Sequence, residues 1–155
     1  MPLEPIAITT FCDDIRYELG GKHSLIGVYR DSLVFTEGAF PITIPKLALS
    51  VTFIEHPTAP VGDSEIVVLM PGLPPDPPAF SFKVPTLGVT EVPDAPEHTR
   101  RTLNFHIVLS PLTIQESGPI KVRLINKGKR HKAGTLVVRI ADPKELEQAV
   151  VPLAD

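Results

Sequence analysis

Cysteine is nearly absent from this sequence and tryptophan is missing altogether: Cys12 is the single thiol in 155 residues. One cysteine excludes an intramolecular disulfide and, with it, a disulfide-stapled scaffold. No apolar run approaches the ~18 residues that a membrane-crossing helix needs. The opening stretch, Met1-Pro2-Leu3-Glu4-Pro5, has neither a basic nor an apolar segment. No signal peptide is therefore expected, and the cytoplasm is the default compartment. Neither charge sign dominates, with 15 basic and 18 acidic residues and a net charge of -3. That balance argues against a general polyanion binder and leaves a local basic patch open.

Proline, by contrast, is abundant. Its 18 copies are more than twice the ordinary usage of about 5%. Proline interrupts helix interiors and central strands, so these residues belong in loops and at strand edges. Apolar residues make up 43% of the chain, and a domain of this length buries roughly 70% of its unfolded surface without help from metal or disulfide. Short apolar runs cut by proline and glycine read as a single all-β domain over residues 1–155.

The runs Ile6–Leu19 and His23–Val34 read as a hairpin around Gly20-Gly21, two residues that tolerate a primed turn. A two-residue turn there makes paired residues sum to 41, so Ile15 faces Ile26 and Tyr17 faces Ser24. Leu19, Tyr17, Ile15, Ile26 and Val28 then share one face, and Arg16, Glu18 and His23 the other. Asp31-Ser32 marks a bend. Leu47, Leu49, Val51 and Phe53 alternate with Ala48, Ser50 and Thr52, the period-two signature of a strand. Ile66 to Met70 is apolar throughout, as in a strand covered on both sides. Pro74-Pro75-Asp76-Pro77-Pro78 is expected to be extended and polyproline-like, a stiff connection or, alternatively, a ligand for a proline-binding module. Phe80–Val84, Leu103–Leu109, Ile120–Leu124 and Leu136–Ile140 complete eight alternating segments, and the last two flank Lys127–Ala133 as a hairpin. Residues 85–100 form the longest irregular stretch. Asp142 fits an N-cap, Pro143 the first helical position and Glu145 the capping-box position of a helix reaching about Val150. Leu146, Ala149 and Val150 give it an apolar side.

The fold class expected is all-β: a two-layer sandwich of about eight mainly antiparallel strands, immunoglobulin-like or jelly-roll-like, with one short C-terminal helix.

Two segments stand out chemically. In Cys12-Asp13-Asp14-Ile15-Arg16, adjacent acids occupy an apolar strand and point to opposite faces. The hairpin register puts Asp13 on the apolar face beside Val28, where it needs backbone donors or a basic partner. A metal or catalytic role for Asp13 and Asp14 is the sharper alternative, with Glu18 and His23 as further possible ligands, or Cys12 with a histidine. No zinc spacing, EF-hand loop, GxSxG elbow or complete Walker motif accompanies them. His23, His56, His98, His106 and His131 are scattered. Cys12 is expected to be a buried thiol, and its pairing with His106 as a nucleophile would need the tertiary fold to join them. The second segment is basic: Lys127, Lys129, Arg130, His131 and Lys132 around Gly128. At a hairpin tip these charges either protect the sheet from edge pairing or contact phosphate, an acidic protein or another anion. Lys121, Arg123 and Arg139 could extend the patch. Few aromatics lie near it, which disfavours base stacking.

Cys12-Asp13-Asp14-Ile15-Arg16, then Gly20-Gly21-Lys22, then Ser24-Leu25-Ile26-Gly27-Val28-Tyr29 resembles a family of small bacterial proteins of unknown function with a CDDIR…GGK-SLIG-Y signature. The resemblance spans about residues 8–50, including Phe40-Pro41 and Pro45-Lys46-Leu47. It implies a bacterial or phage-related origin and a shared β fold, and no activity.

The functional expectation is a non-enzymatic module that binds other proteins or assembles with itself, with no cofactor and no membrane. The alternatives are an anion- or nucleic-acid-binding module using residues 127–132, and a metal-dependent enzyme centred on Asp13 and Asp14.

Overall fold

Period-two alternation builds the structure. A computed structural model describes residues 4–148. Its strands are β1 (Ile6–Tyr17), β2 (His23–Val28), β3 (Ser32–Phe35), β4 (Ile42–Ile44), β5 (Leu47–Glu55), β6 (Ser64–Leu69), β7 (Phe80–Lys83), β8 (Arg101–Leu109), β9 (Leu112–Ile114), β10 (Gly118–Asn126) and β11 (Lys129–Ile140), followed by helix α1 (Pro143–Gln148). One sheet has the order β2-β1-β5-β8 and the other β3-β11-β10-β6-β7; β4 and β9 form a separate two-stranded ribbon. The architecture is an all-β sandwich with one short helix near its C-terminal end. All strand pairs are antiparallel except β3 with β11.

The core lies between the two large sheets. Leu47, Leu49, Val51 and Phe53 of β5 meet Ile66 and Val68 of β6, Ile120, Val122 and Leu124 of β10, and Leu136 and Val138 of β11. Each such side chain stabilises the fold by roughly 1.5–3 kcal/mol through burial. β6 is buried at Ile66, Val67 and Val68 alike, so it is covered on both faces.

Among the described residues eleven strands replace the expected eight, for local reasons. The run 23–35 is two strands in different sheets, with the chain crossing between layers at Tyr29–Asp31. Ile42–Ile44 and Leu112–Ile114 are triplets too short to show a period, yet Leu112 and Ile114 are buried. The 71–79 segment is not extended: it turns through consecutive bends, because β6 and β7 pair antiparallel and the chain between them must reverse. Pro119 lies inside β10 but ahead of the ladder to β6, which starts at Lys121↔Leu69, so its missing N–H leaves no gap there.

The first hairpin differs from expectation by one residue. Asp14 pairs with Ile26, Ile15 with Leu25, and Tyr17 with His23. The connection holds three residues, closed by the Glu18 N–H donating to the Lys22 carbonyl at 2.8 Å. Gly20 and Gly21 both take positive φ, 81° and 74°. Every face assignment in β2 therefore reverses: His23 sits with Ile15 and Tyr17, while Ile26 and Val28 sit with Asp14 and Cys12.

The capping box is formed as expected. Asp142 Oδ1 accepts from the Lys144 N–H at 3.0 Å, and Glu145 Oε2 accepts from the Asp142 N–H at 3.0 Å. Arg139 adds an ion pair to Glu145 at 2.7 Å. None of the helix residues described is buried; Ala149 and Val150 lie outside the described residues.

The two sides of the sandwich differ. On one, β1 lies against β11, where a bulge opposite Val122 and Arg123 interrupts the β10–β11 register. Gly134 sits in that bulge, and a Cβ there would stand 3.0 Å from Thr9 Cβ, so glycine permits the close approach. On the other side a small cavity joins Phe53 of β5, Leu103 of β8 and Val84, just beyond β7. There β7 and β8 form the two margins of the sandwich.

Candidate functional site

The end of the sandwich holding the last residues of β5 and the β10–β11 turn is the most built part of the surface. Glu55 continues the inward phase of Leu47–Phe53, and Arg101 continues that of Leu103–Leu109, so the ladder places them opposite each other. Glu55 is buried and Arg101 largely so, and the Arg101 Nε donates to Glu55 Oε1 at 3.0 Å while Nη2 binds the same oxygen. The remaining guanidinium hydrogens go to the carbonyls of Thr90 (2.8 Å), Ala59 (3.2 Å) and Pro57 (3.4 Å). Arg101 thus ties the long 85–100 loop to the β5–β6 connection.

His56, also buried, is fully committed. Its Nε2 lies 2.9 Å from the Pro96 carbonyl, which can only accept, so Nε2 carries the proton. Nδ1 then accepts from Thr58 Oγ1 at 2.7 Å. Neither nitrogen is left to serve as a base or a metal ligand, so this acid–histidine–arginine group is structural.

Around it lie two adjoining cavities of about 290 and 530 Å³. Lys127 and Lys129 line the first, Arg100 and Lys132 the second, and His131 both. The basic turn is tighter than expected. Lys127 and Gly128 alone make it, both at positive φ (49° and 76°), and Asn126 already pairs with Lys129. Strand alternation then divides the cations. Lys129 and His131 turn toward Glu4, whose carboxylate lies 3.0 Å from Lys129 Nζ and 3.7 Å from His131 Nδ1. Arg130 pairs with Ile125 on the opposite face. Arg139 is engaged by Glu145 and does not extend the patch.

The Cys12–Arg16 segment has a different organisation from the one expected. Asp13 is exposed, not buried beside Val28. It lies over Gly27, at φ 66°, and accepts a hydrogen bond from the Tyr29 hydroxyl. Burial, and then this carboxylate, push the Tyr29 hydroxyl far above the usual tyrosine range. Asp14 binds Lys46 at 2.7 Å, and that hydrogen bond holds its carboxyl below the ordinary value. Glu18 accepts from Ser24 Oγ at 3.0 Å, and Arg16 is exposed. The four groups considered as metal ligands, Asp13, Asp14, Glu18 and His23, thus have separate partners. Among the described residues no three His, Cys, Asp or Glu side chains converge to hold a metal ion. Gly20 and Gly21 serve an exposed turn between antiparallel strands, not a phosphate loop leading into a helix.

Cys12 is fully buried, and its thiol points to the Ala48 carbonyl at 3.7 Å. Burial, then the neighbouring Asp13 and Asp14 charges, push its pKa up. The thiolate is the nucleophile, so native protein should react with a thiol reagent at least tenfold more slowly than protein in denaturant; equal rates would contradict the burial. His106 is engaged elsewhere: its Nδ1 is 2.9 Å from the Tyr17 hydroxyl, and its ring meets that of His23 edge-on at 4.6 Å. The tip of the first hairpin therefore reaches β8. The His106 Nε2 is buried without a hydrogen-bond partner. Burial, and then His23, hold this imidazole below its usual pKa. The sequence shows no signal for this trio, because 89 residues separate Tyr17 from His106.

The remaining surface of interest is the outer edge of β8. Nine consecutive pairs with β5, Leu47↔Leu109 to Glu55↔Arg101, run without a register break. Among the described residues, no strand pairs with its other edge, and no backbone–backbone hydrogen bond from the turns and loops reaches Thr102–Leu109. No family model, curated protein or solved structure matches the chain. No described helix is long and apolar enough to cross a membrane.

Proposed function

We propose that the chain is a non-enzymatic interaction module that assembles with itself by pairing the outer edge of β8 with the same edge of a second copy. The observation that carries this reading is the length and lack of protection of that edge. Single-chain proteins shield sheet edges with charge, proline, bulges or very short strands. β3 and β7 have four residues each, β7 includes Lys83, and β2 is interrupted at Gly27. β8 has nine residues, Arg101–Leu109; its exposed outward positions are Thr102, Asn104 and Val108, and His106 between them is half-buried against Tyr17 and His23. It contains no lysine, proline or bulge, and its one arginine is buried against Glu55.

A second copy fits this edge for three reasons. Antiparallel pairing about a two-fold axis is self-complementary. The outward residues bring no fixed charge against its own image. The margin also carries partly buried Leu103 and Phe105 of β8, with Phe80 and Phe82 on the neighbouring layer. A nine-residue strand is about 30 Å long and two stacked sheets with their side chains about 20 Å thick, so each copy offers on the order of 500 Å². That total reaches the ~1,000 Å² expected of a specific interface.

Light scattering after size exclusion, over a concentration series, should show the mass rise from one chain to two. Hydrogen exchange of the β8 amides should slow in step. The Asn104→Lys/Val108→Lys variant places like charges across the two-fold and should remain a single chain with unchanged melting; Val108 is 52% exposed, so the change does not disturb the core. A natural chain that stays monomeric at every concentration, or a dimer that the lysines leave intact, sinks the proposal.

A further inference from the structure

We propose that the cleft at the end of the sandwich binds a carboxylate ligand and that Glu4 is its tethered occupant. This does not depend on pairing through the β8 edge. The two cavities there share Glu4, Pro5, Glu55, His56 and His131 in their linings, so the Glu4 segment lies between them and divides one depression into two. Each cavity, near 290 and 530 Å³, is of the size that holds a small ligand (about 300–1,000 Å³).

Glu4 shows what the cleft accepts. Its two oxygens engage two different basic side chains, Oε1 with Lys129 and Oε2 with His131. The Lys129 ammonium holds the Glu4 carboxyl below its usual pKa. The pair is exposed, so it is weak and can exchange. The other acid in the lining, Glu55, is neutralised by Arg101 and does not repel an incoming anion. Lys127, Lys132 and Arg100 also line the cavities, and among the described residues none of the three holds an ion pair. An entering carboxylate takes the place of Glu4, and a second negative group on the same ligand meets Lys127 on one side or Lys132 and Arg100 on the other. The ligand class is therefore a polycarboxylate, either a small molecule or acidic side chains of a peptide. The lining has no Phe, Tyr or Trp on which a base could stack.

Calorimetric titration with citrate and with hexaglutamate separates the two sources. Glu4→Gln removes the internal competitor and should tighten binding about two- to fivefold, the range an exposed ion pair spans. Lys127→Glu/Lys129→Glu should abolish binding, and added salt should weaken it for the natural chain. Binding of citrate alone assigns a small ligand; binding of hexaglutamate alone assigns a peptide. All these residues are exposed, and a melting curve on each variant verifies its fold. If neither probe binds the natural chain or Glu4→Gln, or if Glu4→Gln binds no tighter than the natural chain, the proposal is overturned. Binding that survives the charge reversal overturns it equally.

Discussion

Arg101→Ala should lower folding stability by about 3–5 kcal/mol, the cost of removing one partner from a buried ion pair. Glu55 is only 7% exposed and Arg101 11%, so the remaining carboxylate has little access to water. The variant also strands the carbonyls of Ala59 and Thr90, which accept from the guanidinium, while the Pro57 carbonyl keeps the Val92 N–H. Urea unfolding gives the magnitude. The double variant Glu55→Met/Arg101→Met separates the two contributions. Replacing a buried pair by apolar residues is often neutral or stabilising, so global stability should largely return. The carbonyl anchors do not return, and amide exchange in residues 85–100 should stay faster than in the natural chain. A loss below about 1 kcal/mol in Arg101→Ala, the level of an exposed pair, would show that water reaches this group.

Gly27→Ala is the second large effect expected, about 2–4 kcal/mol. Holding a non-glycine residue at left-handed φ costs roughly 1–2 kcal/mol. The added methyl would also collide with the Asp13 carboxylate, and moving that group aside breaks its hydrogen bond with Tyr29, worth about another 1–2 kcal/mol. Asp13→Ala removes the carboxylate, leaving its own Cβ 3.1 Å from the new methyl. The double variant should therefore be less damaged than the sum of the singles, by at least about 1 kcal/mol. Simple additivity would mean that backbone conformation alone fixes the glycine.

Residue parity explains what could be read from the chain and what could not. The β5 and β8 core was visible because Leu47–Phe53 and Leu103–Leu109 alternate cleanly. The same parity reaches one step further: Glu55 and Arg101 are in phase with those apolar positions, so an inward acid and an inward base are legible in the sequence. The hairpin register was not legible, since it hangs on whether Leu19 belongs to the strand or the turn, and one residue moves every β2 side chain to the other face. For the same reason Asp13 lies over Gly27 and not beside Val28. The capping box at Asp142–Glu145 was readable because all its partners lie within four residues. The end cleft, the His106 cluster and the β4–β9 ribbon join segments dozens of residues apart. No local pattern encodes those meetings, so the basic turn could be found in the sequence but not the carboxylate that faces it.

The contrast between the two margins of the sandwich has a consequence for how far growth can go. Where Thr9 packs onto Gly134 the two layers lie close, and the edge strands beyond, β2 and β3, have only six and four residues, so a newcomer finds no long ladder to extend. Only the far margin offers one. A protein with a single adhesive rim is used up when two such rims meet, whereas a rim on each flank would recruit neighbours without end and give fibres. On the proposed pairing, the glycine in the β11 bulge thus does more than admit a neighbouring strand: it helps keep one flank closed and the assembly at two copies.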